Sequence, residues 1–369
     1  MADKTKTYES AVDRWSGIGP YYAMFPTDFA DRVVETYTKP GDGVIDPFAG
    51  RGTAVYSAVT RGRLAVGIEI NPVGWIYAKA KTHPATKTDV LDRLAEIASA
   101  AAHFAKMGSA LPLFYQRCFA PNVNRFLCAA RSLLNWKRAK TDWTLMALVL
   151  VYLHGKREAS LSNQMRQTKS MSPPYAIRWW SKHKMRPPEL DPQEFLARRI
   201  EWRYRKGTPD MSAALLYLGD CNRILKRISR HSRNGNGCQF HLMITSPPYC
   251  GVTNYYYDQW LRLWLLGFKA QAYVNRGTLR GKFCNQEAYS KLLRNSFQKA
   301  SALLSKNAVV YVRTDKRSFT LTTTRQILQE VFSDKTLYEA PAPFKGPTQT
   351  CLFGDHSEKM GEVDLVLVP

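Results

Sequence analysis

The sequence predicts an α/β protein, a doubly wound and mostly parallel sheet interrupted by a helical insertion. Three observations carry that expectation. The first hundred residues run strand, glycine turn, helix, strand, which is a βαβ unit and implies a parallel pair. From about Trp75 to Arg205 the apolar period is helical, with polar connectors and no convincing strand. Strand patterns resume at Leu215 and continue to the end of the chain. The expected division is residues 1–84 and 211–369 for the sheet domain and 85–210 for the insertion.

Pro26-Thr27 opens a helix with acids early in it (Asp28, Asp31) and apolar Phe29, Val33, Val34 and Tyr37 at helical spacing. Pro40 to Gly43 is a turn, and Val44-Ile45 begins a buried strand ending at Asp46-Pro47. The loop Phe48-Ala49-Gly50-Arg51-Gly52 leads into a helix from Thr53 that stops at Gly62. A second strand, Leu64 to Ile68, ends in Glu69-Ile70-Asn71-Pro72. After the insertion come Leu215 to Asp220 with a helix through Ile224, then strands Phe240–Thr245 and Ala308–Val312. Asp364 to Val368 closes the chain, paired with Thr336 to Tyr338. No internal repeat or low-complexity segment is found.

Of 369 residues, 45% are hydrophobic, too many for a disordered chain. No run reaches the roughly 18 apolar residues of a membrane helix, the longest being Thr144 to Leu153. Met1-Ala2-Asp3-Lys4 lacks a signal-peptide pattern, so a cytoplasmic protein is expected. The seven cysteines form no CxxC pair and are odd in number, which argues against disulfides and structural zinc. The histidines show neither HxxxH nor HExxH spacing, so no metal is expected.

Charge points to a partner. The formal net charge is +23, yet residues 1–100 balance at 12 basic and 12 acidic side chains. Residues 101–210 hold 20 basic against 7 acidic, and between Cys221 and Lys282 Asp258 is the only acid among ten basic residues. A solvated basic surface is one explanation. With Trp136, Trp143, Trp179, Trp180 and Trp202 nearby, a polyanion binder that neutralises phosphates and stacks on bases fits better.

Four motifs carry chemistry. Asp46 to Thr53 lies at the carboxyl end of the first strand, where doubly wound sheets hold ligands, and its glycines let backbone approach closely. It is not the dinucleotide pattern, and the alternative is a tight turn with no ligand. Glu69, ending the second strand, is placed to accept from two ribose hydroxyls. Asp220 ends the third and can accept from an adenine amine, cap the next helix, or both. Thr245-Ser246-Pro247-Pro248-Tyr249 follows an apolar strand; its prolines remove two backbone donors and leave carbonyls for a ligand.

Together these residues resemble the S-adenosylmethionine-dependent DNA amino-methyltransferases, which methylate N4 of cytosine or N6 of adenine, usually in bacterial restriction-modification or defence systems. The resemblance covers roughly residues 20–75 and 211–369. It implies a Rossmann-like methyltransferase sheet, S-adenosylmethionine as cofactor, double-stranded DNA as partner, a prokaryotic cytosolic setting and a possible cognate restriction endonuclease. Ser-Pro-Pro-Tyr is more typical of the cytosine-N4 enzymes. Phe48, Gly50 and Gly52, within the run Asp46, Pro47 and Thr53, would hold the methionine part of the cofactor. Glu69 would hold its ribose, and Asp220 with Cys221 its adenine. Tyr22, Phe25, Pro26 and Thr27 fall where the family has a further cofactor motif, a loose match. Asn254 and Tyr255 would touch DNA, while Trp260, Leu261, Leu263, Trp264 and Leu266 read as core. One departure from the family is that the insertion separates Glu69 from Asp220.

The implied reaction is methyl transfer to a flipped-out base, with acceptors on Ser246 and Pro247 favouring the pyramidal amine and Tyr249 stacking on the base. Adenine N6, RNA, or a nucleic-acid-binding module with a dead cofactor site are the alternatives. Cys250 reads as a small loop residue, not a nucleophile. In the insertion, Asn163, Gln164, Arg166 and Lys169 are expected to face DNA, since Asn, Gln and Arg are common base-edge readers; a helical brace is the alternative. Ser172-Pro173-Pro174-Tyr175 repeats the letters of the catalytic tetrapeptide, but follows a polar run and is expected to be a loop.

Overall fold

The computed structural model describes residues 8–20, 25–232, 239–251, 255–269, 285–342 and 361–369. Seven strands form one sheet: β1 Gly43–Asp46, β2 Leu64–Glu69, β3 Ala214–Leu218, β4 Phe240–Thr245, β5 Leu304–Asp315, β6 Thr336–Ala342 and β7 Glu362–Val368. They lie in the order β3-β2-β1-β4-β5-β7-β6. The first five run parallel, and β7 sits antiparallel between β5 and β6. The order reverses at β1, so the crevice between the carboxyl ends of β1 and β4 is the switch point at which such sheets hold ligands.

Both faces of the central strands are covered, as parallel strands require. Alternation sorts their side chains. Val44, Leu242 and Ile244 pack with the helices Thr27–Tyr37 and Thr53–Val59. Ile45 and Met243 pack on the other face, with Cys221–Ser232, Gln286–Ser301 and Ser318–Val331. The expected pairing of the last strand is present, with Leu337 opposite Leu367 and Tyr338 opposite Val366. β5 is longer than its apolar run because partners hold both ends: Leu304 lies opposite Phe240 and Asp315 opposite Glu362.

Between β2 and β3 the chain is helical, its longer segments being Pro72–Thr82, Lys87–Ala100, Pro121–Leu133, Lys140–Tyr152 and Pro192–Tyr204. Lys140–Tyr152 is buried from Thr144 to Val151, which explains its unbroken apolar run. These helices share one apolar cluster with the segment after β4. Phe114 meets Trp260 at 4.9 Å between ring centroids, and Tyr115 meets Trp264 at 4.5 Å. Trp260, Leu261, Leu263, Trp264 and Leu266 are buried, as expected. Among the described residues no helix is long and apolar enough to cross a membrane.

Two expectations for the insertion are corrected. Ser172 to Tyr175 is not a loop: Ser172 precedes the helix Pro173–Lys182, whose first positions are the two prolines. Proline suits that place because its missing N–H would have no helical partner and its φ is already helical. Trp136 and Trp180 are 6% and 1% exposed and serve the core, so neither offers a face to a base.

Candidate functional site

Two carboxyls hold the glycine loop as it leaves β1. Asp46 is buried, and its Oδ1 accepts from Phe48 N at 3.1 Å and from the Thr245 hydroxyl at 2.7 Å. One carboxylate thereby joins the carboxyl ends of β1 and β4 across the switch point. Glu69 accepts from Gly50 N at 2.7 Å through Oε2 and from Asn71 N at 2.6 Å through Oε1. Burial pushes Asp46 up to about 7, against the hydrogen bonds from Thr245 and Phe48. Burial likewise pushes Glu69 up to about 8, with the Asp46 charge adding to the rise and the Asn71 and Gly50 amides opposing it.

Glycine is required at two positions here. Gly52 starts the Thr53–Val59 helix at φ +73°, and a Cβ on it would lie 2.6 Å from the Ala78 Cβ. A Cβ on Gly74 would lie 2.7 Å from the Gly50 carbonyl oxygen. The Pro72–Thr82 helix therefore closes tightly behind the loop. Pro47 is buried and Phe48 half-buried. The Arg51 side chain turns inward, donating to Gly19 O at 3.1 Å and to the Thr53 hydroxyl at 3.2 Å. Thr53 thus already serves Arg51.

Gly219 N donates to Glu69 O at 2.9 Å, which sets Asp220 beside the end of β2. Asp220 caps its helix, accepting from Arg223 N at 3.1 Å. The Cys221 thiol is buried, 3.2 Å from the Ser296 hydroxyl of the Gln286–Ser301 helix.

Beyond Thr245 the second loop is tied to the far strand. The Tyr249 hydroxyl donates to Glu362 Oε1 at 2.8 Å and lies 3.2 Å from the Ser246 hydroxyl. With the phenol proton directed to the carboxylate, Ser246 donates to the phenol oxygen and keeps its lone pairs as acceptors. Arg313 stands behind Glu362 at 3.9 Å, and its Nε donates to Asp364 at 2.7 Å. That guanidinium also lies 3.6 Å from the Phe29 ring centroid and 5.9 Å from that of Phe25. Pro247, Pro248 and Tyr249 are buried while Ser246 is half-exposed. Glu362 and Arg313 were not foreseen from sequence. A glutamate opening a strand carries no local signal, and only the pairing of β5 with β7 brings it to Tyr249.

Phe25 is buried and Pro26 exposed. The Thr27 hydroxyl is buried with no hydrogen-bond partner among the described residues. An orphaned hydroxyl, a glycine loop with little side chain in the way and a carboxylate at the next strand end suit a ligand with an amino-acid part and a ribose. Tyr22 and Asn254 lie outside the described residues, as does the side chain of Tyr255.

The insertion residues divide. Asn163 is fully buried, its amide donating to Arg117 O at 3.2 Å and accepting from Gln164 N at 2.8 Å. It holds a turn and cannot read a base edge, which corrects that expectation. Gln164, Arg166 and Lys169 are half-exposed. Gln164 accepts from Arg157 N at 3.0 Å, and Lys169 pairs with Asp258 at 3.3 Å.

A family model described as DNA methylase, of the N6/N4 type, matches residues 3–75. The chain is 44% identical over 54 residues to the Type II methyltransferase M.Cfr9I of Citrobacter freundii, covering 15% of this chain and 18% of that one. It is 39% identical over 54 residues to the Type II methyltransferase M.XycI of Xanthomonas campestris pv. cyanopsidis, covering 15% and 18%. The chain thus spans less than a fifth of the length of the curated relatives it matches. Among solved structures, it is similar to the rRNA methyltransferase aviRa from Streptomyces viridochromogenes, at 13% identity and TM-score 0.33 over 98% of this chain and 95% of that one. The family match takes in β1, the glycine loop and β2 and ends before the Ser246 loop.

Proposed function

We propose that this chain, whose residues 3–75 match the model of the N6/N4 DNA methylase family, methylates an exocyclic amine of double-stranded DNA, the N4 amine of cytosine. S-adenosylmethionine, when bound, supplies a methyl group made electrophilic by its sulfonium. Phe48, Gly50 and Gly52 hold its methionine part, Glu69 its ribose and Asp220 its adenine, with Thr27 offering its unpaired hydroxyl. The observation that carries the reading is the chain Ser246–Tyr249–Glu362 at the carboxyl edge of β4, fastened to the glycine loop through Thr245 and Asp46.

The target amine is a weak nucleophile because its lone pair is conjugated into the ring. Ser246, held as an acceptor, and the Pro247 carbonyl take its two N–H bonds and favour the pyramidal form that attacks. Positioning does most of the work. The proton shed on methylation leaves to water at the half-exposed Ser246, while Tyr249, oriented by Glu362, keeps the Ser246 hydroxyl in place as an acceptor. The nucleotide leaves the duplex to reach this edge, at a cost of about a few kcal/mol. The basic stretch at residues 101–210, with 20 Lys and Arg against 7 acids, supplies phosphate contacts.

Nucleoside mass spectrometry after incubation with labelled cofactor and PCR-amplified, unmodified genomic DNA tests this. N4-methylcytosine is expected. N6-methyladenine would change the base, label in RNA alone would change the substrate, and no transfer with intact binding would leave a binding module.

A further inference from the structure

A hollow of about 540 Å³ opens between the insertion and the short helix Tyr255–Asp258, within the roughly 300–1,000 Å³ range of small-ligand sites. Its walls include Tyr175, Trp179 and Tyr257 on one hand and Arg166, Lys169 and Asp258 on the other. Neither Ser246 nor Tyr249 lines it. Tyr175 and Trp179 are four residues apart on the Pro173–Lys182 helix and so share a face. Tyr175 is 51% exposed, a large ring left in water. The helix beneath is anchored by Trp180, which is buried and donates to Gln164 O at 2.7 Å.

The stretch that lines the hollow is hydrogen-bonded to the segment that follows the Ser246 loop. Ser170 N donates to Asp258 O at 2.8 Å, Gln259 to Thr168 O at 3.0 Å, Trp260 to Met171 O at 3.1 Å, and Arg262 to Gln167 O at 2.6 Å. On the same short helix, Tyr256 donates to Ile70 O at 3.4 Å, one residue beyond Glu69. One element therefore touches the end of β2 with one residue and walls the hollow with the next two.

We infer that this hollow is a second nucleotide site, holding an unstacked nucleotide of the substrate DNA other than the one methylated. The inference rests on the reading that the substrate is DNA. The base lies against Tyr175, Trp179 or Tyr257, and its phosphate meets Arg166 and Lys169. Aromatic faces give stacking that any base can use, and the cations match the phosphate. The single acid in the wall, Asp258, is already paired with Lys169 at 3.3 Å. Extruding the target leaves neighbouring nucleotides with a broken stack, and a rigid slot beside the site gives one of them a new surface.

The test uses the full chain and fluorescein-labelled short duplexes, either fully paired or with one bulged 5-iododeoxyuridine. The wild type is expected to bind the bulged duplex about tenfold more tightly than the paired one, and to crosslink through Tyr175, Trp179 or Tyr257 under near-ultraviolet light. Tyr175→Ala/Trp179→Ala should abolish that preference, the scale of one lost stacking contact. Tyr175→Ala alone, at a half-exposed position that folding tolerates, should lose about half of it on a logarithmic scale. Equal binding of both duplexes by wild type and variants, crosslinks confined to the Ser246 loop, or a preference only for bulged RNA would each overturn the inference. Methylation of unmodified DNA separates the two readings. A wild type that methylates DNA, with variants unchanged in kcat and KM, removes the second site and leaves the activity. A wild type that crosslinks at Tyr175 yet transfers no methyl group to DNA removes the activity.

Discussion

Ser172 to Tyr175 and Ser246 to Tyr249 have the same four letters and opposite surroundings. The first follows a polar run, begins a helix with its two prolines, and leaves Tyr175 in water. The second leaves a buried strand, and its tyrosine turns inward onto Glu362. Before the first serine stands Met171, half-buried in the insertion; before the second stands Thr245, wholly buried and bonded to Asp46. A proline pair does not specify a conformation. It removes two donors, and whether that opens a helix or ends a ladder depends on the direction from which the backbone arrives. The second copy is held between strands, through Thr245 on Asp46 and Tyr249 on Glu362.

The largest expected effect separates the two copies directly. Single-turnover methyl transfer at saturating DNA and cofactor should fall about a hundredfold in Ser246→Ala, the scale of losing one hydrogen bond at a reacting centre. Ser172→Ala should stay within about threefold of wild type. The reverse ranking would move the active site into the insertion.

A smaller effect tests what holds the second copy. Glu362→Ala removes the acceptor that orients Tyr249 and, through it, Ser246. The chemical step should slow about tenfold with cofactor affinity unchanged, and Glu362→Gln, which keeps an acceptor oxygen, should recover most of the rate. Equal losses in Ala and Gln, or a change confined to cofactor affinity, would show that Glu362 does not act through Tyr249.

The smallest effect concerns stability. Asp46, bonded to Thr245 just before the second copy, and Glu69, bonded to the glycine loop, are raised to about 7 and about 8, from ordinary values of 3.8 and 4.5. Between those limits the folded protein keeps protons that the unfolded chain has released. Their contribution is therefore full at low pH and lost as pH rises through the folded values. The thermal midpoint of the ligand-free protein should drop by about 3–6 °C between about pH 5.5 and about pH 8. Glu69→Gln should flatten that slope, and Ser172→Ala should leave it as it is. The same slope in Glu69→Gln as in wild type would mean that Glu69 is ionised throughout. His83, His154 and Lys81, all lowered by burial, act with the opposite sign but equally in both proteins.

Much of the sheet was legible because its signals are local. Val44-Ile45 before Asp46-Pro47, the glycines at 50 and 52 and the acid after Ile68 identify a strand, its turn and the end of the next strand. β5 was underestimated because Leu304 and Asp315 are strand only by virtue of their partners. Asn163, Trp136 and Trp180 were misjudged for one reason. Polar and aromatic side chains suit a nucleic-acid surface and a helical core equally well, and composition cannot tell which way a side chain turns.

By itself the sequence determined where the βαβ unit begins, which loop ends β1, and which tetrapeptide follows a buried strand. Each follows from apolar period and turn chemistry over a few neighbouring residues. Only the tertiary structure decided that Glu362 reaches Tyr249 across 113 residues of chain. It alone decided that Thr245 joins Asp46 across 199, and that Tyr175 and Tyr257 wall one hollow. Such contacts are set by which strands pair and which helices share a core, and that choice is made by burying apolar surface across the whole chain, where no single segment carries the pattern.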